Sequence, residues 1–285
     1  MPLGTAQMTG TTLAVYRPNI WAKEVLAARQ SNLVLVPRVK HYDRDIKSAG
    51  QTVEIPNMSN LTANLKVANT QVTLNGPTET KTTITINQHY ESSFLLEDFA
   101  EIQSAYDAAA EYTKKTGYAL AEKMDNFVAS GIQNGAAKSL GAAGTVLSDT
   151  VILTANRYLD DAKAPSTERY FVVTPQGKQE LLAIDKFVRY DALGTAGDTN
   201  SIVNGRIGSI YGVEVSMSQN LNITAGTPVT NNHLFFHKEA YAIAIQKDIT
   251  FESQRKTEYL GTLYVAQSLW GGAILRSDHA VLVKS

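Results

Sequence analysis

Apolar side chains along residues 70–90 fall on one parity. Val72, Leu74, Ile84, Ile86 and Tyr90 are all even-numbered, while Gln71, Thr73, Asn75, Lys81, Thr83, Thr85, Asn87 and His89 hold odd positions. A period of two marks a strand with one apolar face, and Gly76-Pro77 supplies turn chemistry within it. Upstream, an outgoing strand carries Val53 and Ile55, followed by a tip rich in Asn, Ser and Thr over Asn57–Gln71. The pattern predicts a long two-stranded excursion over Ser48–Tyr90. An isolated two-stranded ribbon is marginal in water. Its apolar face therefore needs another body to lie on, which points to assembly before catalysis.

The period then changes. Phe99, Ile102, Tyr106, Ala109, Thr113, Leu120, Met124, Phe127 and Ile132 step by threes and fours, with one seven and a final five, which marks a helical face. Glu97, Asp98 and Glu101 stand near its start, where negative charge complements the helix dipole. Gly117 interrupts it, and the helix is expected to stop near Gly131, ahead of a small-residue loop over Gly135–Gly144. A helix of about 35 residues is roughly 50 Å long. That exceeds one compact domain of this size, so it is expected to run along the molecule as a backbone.

A denser α/β stretch follows. Leu147–Ala162 reads as a helix capped by Ser148 or Asp149, Arg169–Thr174 as a buried strand, and Pro175–Ala183 as a helix with Pro in its first turn. Asp185–Asn204 reads as loop, with Gly194–Ser201 in its middle; Gly208 and Gly212 then turn the chain into a strand over Val213–Met217. The last third is mostly strand. Tyr241, Ile243 and Ile245 alternate, Ile249–Phe251 follows, and Gly271-Gly272 is expected to break Thr262–Val283 into two pieces at a bulge or turn. Ahead of all this, residues 1–47 are weakly patterned, with a short helix predicted over Pro18–Arg29.

Composition narrows the function classes. The 285 residues can bury a sizeable core, and 44% hydrophobic with 19% charged content fits a folded chain. A net charge of −1 carries no signature of tight nucleic-acid binding. Within residues 1–47, seven Lys/Arg against three Asp/Glu leave +4, which suits either contact with an acidic neighbour or an ordinary solvated terminus. The chain contains no cysteine, which excludes disulfides, thiolate chemistry and Cys-ligated zinc. No apolar run reaches the length of a membrane span, and the N-terminus lacks the layout of a signal peptide.

Candidate chemistry is sparse. Gly205-Arg-Ile-Gly208-Ser-Ile-Tyr-Gly212 has the wrong spacing for a dinucleotide fingerprint, and its glycines read as turn residues. His233 and His237 flank Leu234-Phe235-Phe236 in a strand-like run. On a strand the two rings sit about 13 Å apart, too far to share one metal. Asp160-Asp161 and Glu97-Asp98 are adjacent carboxylates, which point in different directions on a helix and read as solvated charge. Tyr106, Tyr112, Tyr118 and Phe127 read as packing residues, and Trp21 and Trp270 as anchors of a core or an interface. No nucleophile motif or triad is present, so no catalytic, cofactor-binding or metal-ligating residue is assigned and no cofactor is expected.

The order of arm, long β excursion, long helix, compact α/β domain and closing strands resembles the major capsid proteins of tailed bacteriophages, the Hong Kong 97-like α+β fold. The resemblance is carried by Ser93–Ile132 with the preceding Ser48–Gln88, by RYFVVTPQGKQELL (Arg169–Leu182), by GRIGSIYGVEVSMSQNL (Gly205–Leu221), and by the ending GTLYVAQSLWGGAILRSDHAVLVKS. It implies an N-terminal arm over 1–47, an extended loop over 48–88, and a peripheral domain with a spine helix over 89–146. An axial domain over 147–245 and C-terminal strands over 246–285 returning to the peripheral domain complete the implied division. It further implies a non-enzymatic shell protein that assembles with itself into hexamers and pentamers of the virion capsid, in the host bacterial cytoplasm, around double-stranded DNA touched weakly. Portal and decoration proteins are further implied partners, with no membrane. A long N-terminal scaffolding segment, present in some relatives, has no room here, so a separate scaffolding protein is expected. Some relatives cross-link a loop Lys to an Asn; neither Lys66 nor Lys81 matches that role. A bacterial encapsulin, with the same fold around protein cargo, and an α+β ligand-binding domain or enzyme are the alternatives.

Overall fold

The structure is a computed structural model that describes residues 33–46, 50–99, 108–184, 208–226 and 228–285. The expected helix over Pro18–Arg29, Trp21, Ile102, Tyr106, Gly205 and the loop centre Gly194–Ser201 lie outside the described residues. Two sheets organise the rest. The five-stranded sheet has the order β1(Lys40–His41), β10(Tyr241–Lys256), β11(Gly261–Ile274), β3(Thr80–Glu97) and β2(Thr52–Asn57). The seven-stranded sheet runs β4(Lys138–Leu140), β12(Ala280–Lys284), β9(Thr230–His237), β5(Arg169–Val173), β7(Val213–Met217) and β6(Ser209–Ile210), with β8(Ile223–Thr224) paired to β9. Among the described residues four α-helices are bounded: α1(Asp43–Ile46), the long α2(Ala108–Gly135), α3(Asp149–Asp161) and α4(Pro175–Leu182). Stretch 246–285 divides between the sheets, because β11 pairs with β3 whereas β12 enters beside β9.

Strand β3 does two jobs. Its first half pairs with β2, Thr85 opposite Thr52 and Thr80 opposite Asn57, and its second half pairs with β11 from Ile86 to Glu97. The even phase holds here, with Ile84 and Ile86 buried. It does not extend upstream, because no strand covers residues 58–79 and Val72 and Leu74 are exposed. The period-2 pattern of 70–79 is therefore not a strand, since no neighbouring backbone among the described residues pairs with it.

Alpha2 spans 28 residues and buries Thr116, Leu120, Met124, Val128, Ala129 and Ile132. It passes through Gly131, where the sequence suggested a stop, and ends at Gly135. The reason is proximity. A Cβ on Gly131 would lie 2.4 Å from Cε2 of Tyr241, so this glycine lets the helix settle onto β10 and does not end it. Phe99, expected on the apolar face, is exposed.

Gly271-Gly272 likewise does not split its strand. Beta11 is continuous over 14 residues, and the irregularity sits opposite, where Trp270 pairs with Gln88 and Gly271 with Ile86, leaving Asn87 as the extra residue of a bulge. A Cβ on Gly271 would meet the Thr85 carbonyl oxygen at 2.1 Å.

The central strands are buried on both faces. Leu234, Phe236, Ile243, Trp270 and Leu282 join Met124, Val128 and Ile132 of α2 in one core. Phe235, Phe171, Val281 and Val283 face the opposite way and pack under Ile152 and Leu159 of α3 and Leu181 of α4. Ala242 and Ala244 pack with Ile46, Ile84 and Ile86. Burial on both faces explains why the LFF of β9 reads as a continuous apolar run. Trp270 is fully buried and stacks on Tyr90 with ring centroids 5.1 Å apart.

Two consequences are measurable on the soluble subunit. Gly131→Ala gains helix propensity of about 1 kcal/mol, yet overpacking against Tyr241 costs roughly 1–3 kcal/mol. Urea denaturation is expected to show net destabilisation, and a more stable variant would refute the tight seat. His233 is fully buried, its Nδ1 accepts the Thr174 N–H at 3.2 Å, and its Nε2 lies 3.0 Å from Ser285 Oγ. Burial pushes its imidazole down to about 4 from 6.5. The folded state therefore binds fewer protons than the unfolded one between those values. Its contribution is intact above pH 6.5 and is lost as pH falls toward 4, amounting to roughly 3 kcal/mol. Urea midpoints measured across that range should fall less steeply in His233→Gln; parallel slopes would remove His233 from the account.

Candidate assembly surface

The excursion between β2 and β3 is the most exposed part of the described molecule. Residues 58–79 carry no strand or helix and are exposed throughout. Met58, Leu61, Leu65, Val67, Val72 and Leu74 are all well exposed, Leu65 at 95% and Leu74 at 83%. Six large apolar side chains in one segment, with only Lys66 and Glu79 charged, form a surface far more apolar than scattered exposed residues.

Side chains, not a backbone ladder, give this loop its form. Asn64 Nδ2 donates to Asn75 Oδ1 at 3.0 Å, and the Thr78 N–H donates to Ser59 Oγ at 3.0 Å, tying the two arms together. At the tip, the Thr70 hydroxyl donates to the Val67 carbonyl at 2.8 Å, and Asn69 adopts a left-handed conformation at φ 59. The Lys66 ammonium donates to the carbonyls of Val67 at 2.8 Å and of Thr70. Asn and Thr at these positions thus organise the arms, and the apolar residues between them are left uncovered. The root is firmer: Lys81 pairs with Glu54 at 2.6 Å beside the β2–β3 ladder.

A second anchoring point sits on α2. Asp125 is fully buried, and its carboxylate accepts the N–H groups of Leu35 at 2.7 Å, Val36 at 3.1 Å and Val34 at 3.4 Å. Asn220 Nδ2 donates to the same carboxylate at 3.1 Å. Residues 34–36 open a short 3-10 turn (Val36–Arg38), so the carboxylate satisfies its otherwise unpaired N–H groups. One side chain fixes where the N-terminal segment joins the long helix. A carboxylate inside the apolar stripe Leu120, Met124, Val128 and Ile132 was the available sequence signal, and sequence reasoning missed it.

The residues considered for chemistry are dispersed. His233 and His237 both lie on β9 and face different neighbours, Ser285 for one and the Glu239 N–H for the other. Asp160 pairs with the buried Arg169 at 2.7 Å, while Asp161 is loosely paired with Arg157 at 3.8 Å. Asp98 receives both guanidinium nitrogens of Arg255, and this hydrogen bonding holds its carboxyl below the ordinary value. Gly212, with Tyr211, takes positive φ in the two-residue turn between β6 and β7, a structural role. Tyr112 packs on Phe94, which stacks on Tyr264 at 4.9 Å, so these rings pack against one another at a partly exposed surface of the subunit. Among the described residues no three His, Asp or Glu side chains gather as a metal site. Two clefts, of about 340 Å³ beside Asn134 and Asn232 and about 280 Å³ beside Lys40 and Ile55, are lined by mixed polar and apolar side chains.

An uncovered apolar arm, with no metal-site cluster among the described residues, is the setting in which the relatives of this chain are found. A structure of Mycobacterium phage Che8 superposes with a TM-score of 0.81 at 25% identity, covering 94% of this chain and 97% of that one. The capsid structure of the cyanophage P-SCSP1u gives 0.78 at 21% identity, with 99% and 96% covered. The head structure of Helicobacter pylori bacteriophage KHP40 gives 0.77 at 12% identity, with 99% of each chain covered. These likenesses identify the Hong Kong 97-like fold. No curated protein sequence matches. The family described as phage capsid protein matches residues 42–283. The chain therefore belongs to the phage capsid protein family and is a non-enzymatic structural protein of the phage head shell.

Proposed function

We propose that this chain is the major capsid protein of a tailed phage and closes, as hexamers and pentamers, into an icosahedral shell around double-stranded DNA. The observation that carries this reading is the loop over residues 58–79, whose six exposed apolar side chains find no cover among the described residues of the subunit. A second copy supplies that cover, and a contact between two different surfaces closes into rings when the rotation permits. Obligate interfaces of this kind bury roughly 2,000–5,000 Å².

The division of labour follows the two sheets. The five-stranded sheet, with the loop and α2, forms the peripheral body and reaches over a neighbour. The seven-stranded sheet, with α3 and α4, forms the axial body that meets its copies at the capsomer centre. Residues 1–47 act as an arm against an adjacent subunit, rooted at Asp125. A net charge of −1 accords with weak, non-specific contact to the packaged DNA. Assembly in the host cytoplasm with a scaffolding protein and a portal, and any decoration proteins bound afterwards, completes the reading.

Two substitutions separate folding from assembly. Asn57 and Thr80 are directly opposed in the β2–β3 ladder, so an Asn-Gly turn can replace residues 58–79 and close a regular hairpin. The shortened subunit should fold and melt within a few degrees of the parent, yet form no shells by electron microscopy; normal shells would sink the loop assignment. Leu65→Asp changes a side chain that is 95% exposed. Subunit stability should move by no more than about 0.5 kcal/mol, while the yield of shells in sedimentation collapses. Unimpaired shell yield would show that this apolar tip has no partner.

A further inference from the structure

Asparagine followed by glycine carries a chemistry of its own. The glycine nitrogen, once its proton is lost to a base in the solvent, attacks the side-chain amide carbon of the asparagine, and the missing Cβ leaves that approach open. Of the five asparagines over residues 57–79, only Asn75 precedes a glycine. Asn69, by contrast, precedes Thr70, whose branched side chain obstructs the attack. Asn75 and Gly76 are both exposed.

The fold does not ask for glycine at position 76. A chain needs glycine where φ turns positive or where a neighbour comes too close for a Cβ. Gly76 lies outside the left-handed region, and a Cβ on it would meet nothing within 4 Å among the described residues. Asn134-Gly135 is the opposite case. There the pair closes α2, a Cβ on Gly135 would lie 2.8 Å from Cδ1 of Ile274, and the helical backbone keeps the Gly135 nitrogen away from the Asn134 side chain. Packing accounts for Gly135, whereas at Gly76 what the absent side chain leaves free is the attack on Asn75.

Asn75 also brackets the two arms of the loop. Its Oδ1 accepts from Asn64 Nδ2 at 3.0 Å and from the Thr62 hydroxyl at 3.4 Å, and its Nδ2 donates to the Thr62 carbonyl. A carboxylate accepts but cannot donate, so in its place the Thr62 carbonyl would face a negative oxygen with no hydrogen between them. We propose that Asn75-Gly76 is a self-modifying site of the unassembled subunit, where Asn75 converts to aspartate or isoaspartate and frees the two arms of the loop from one another, and that cover by a second copy stops the reaction. The bond from Gly76 N to Asn75 Cγ forms, the Cγ–Nδ2 bond breaks and ammonia leaves. Water then opens the five-membered imide at either of its carbonyls, so the sum is amide plus water to carboxylate plus ammonium. Opening at the main-chain carbonyl gives isoaspartate, which lengthens the backbone by one carbon and shifts Thr78 from Ser59, the second tie between the arms. Arrest in the shell rests on the loop contact proposed above; the chemistry of the free subunit does not.

Full-length soluble subunit and assembled shells are aged side by side at neutral pH, and their tryptic peptides are compared with those of fresh protein by mass spectrometry. Cleavage after Lys66 and Lys81 releases Val67–Lys81, which holds both Asn75 and Asn69. In the free subunit, acid should appear at Asn75 several-fold faster than at Asn69 or Asn134. It should slow several-fold in Gly76→Ala, which melts with the native chain, and several-fold in shells. Amide persisting at Asn75, or acid forming as fast in Gly76→Ala, overturns the site. Acid forming as fast in shells as in free subunits overturns the arrest. If no shells form, the loop contact and the arrest fall together, while the free subunit still decides the site. Asn75→Asp reads the bracket: brief trypsin treatment of the folded subunit should cut after Lys66 several-fold faster than in the native chain, because cleavage follows the open population. An equal rate overturns the release of the arms.

Discussion

The close seating of the long helix on the first residues of β10 is the contact on which the rest of the molecule depends. At Gly131 the Tyr241 ring lies where a side chain would begin, and at Gly272 the hydroxyl of the same tyrosine approaches from the other side. That spacing brings Met124, Val128 and Ile132 into one core with Leu234 and Phe236 of one sheet and Ile243 and Trp270 of the other. A single helix thereby binds two sheets that share no hydrogen-bonded strand pair. Core interiors at crystal-like density resist small displacements, so the angle between the sheets is set along this seam.

Among the described residues, the interior is largely satisfied and the loop over 58–79 is the longest stretch left uncovered. Its buried polar groups are largely paired, with Asp125 taking four N–H donors and Arg169 reaching the Pro165 carbonyl, Asn156 and Asp160. The loop over 58–79 is the reverse, with polar side chains used up in shaping its two arms and apolar ones facing outward. Hydrophobic burial is non-directional and scales with area, so such an arm adds stability only in an assembly. The polar residues of the loop are thus spent on its shape and its apolar ones on contact, an allocation suited to a shell protein.

Glycine at close approaches and carboxylate at an internal cap explain features that pattern alone misjudged. Gly131 and Gly271-Gly272 have the composition of element ends, yet each lies inside a continuous element because a backbone or ring presses against it. Asp125 resembles an ordinary surface acid, yet it is buried at the root of the N-terminal segment. In both cases the residue's role is defined by a partner distant in the chain. Asp125 and Leu35 are separated by 90 positions, and Gly131 and Tyr241 meet only after the strands have formed.

What the sequence determined by itself was local and periodic. The even-numbered apolar face gave the hairpin at Ile84 and Ile86, the three-and-four spacing gave the long helix, and Thr174-Pro175 gave the start of α4, where the Thr174 hydroxyl accepts the Gly177 N–H. These depend on side-chain spacing and on caps within a few residues. The family resemblance was legible too, because it rests on the order of such elements. Tertiary structure alone decided that β12 returns beside β9, that residues 70–79 form no strand, and that His237 and His279 meet edge to face. Those outcomes depend on which distant segments supply backbone partners and on how closely they approach, and neither is written in the local period of a chain.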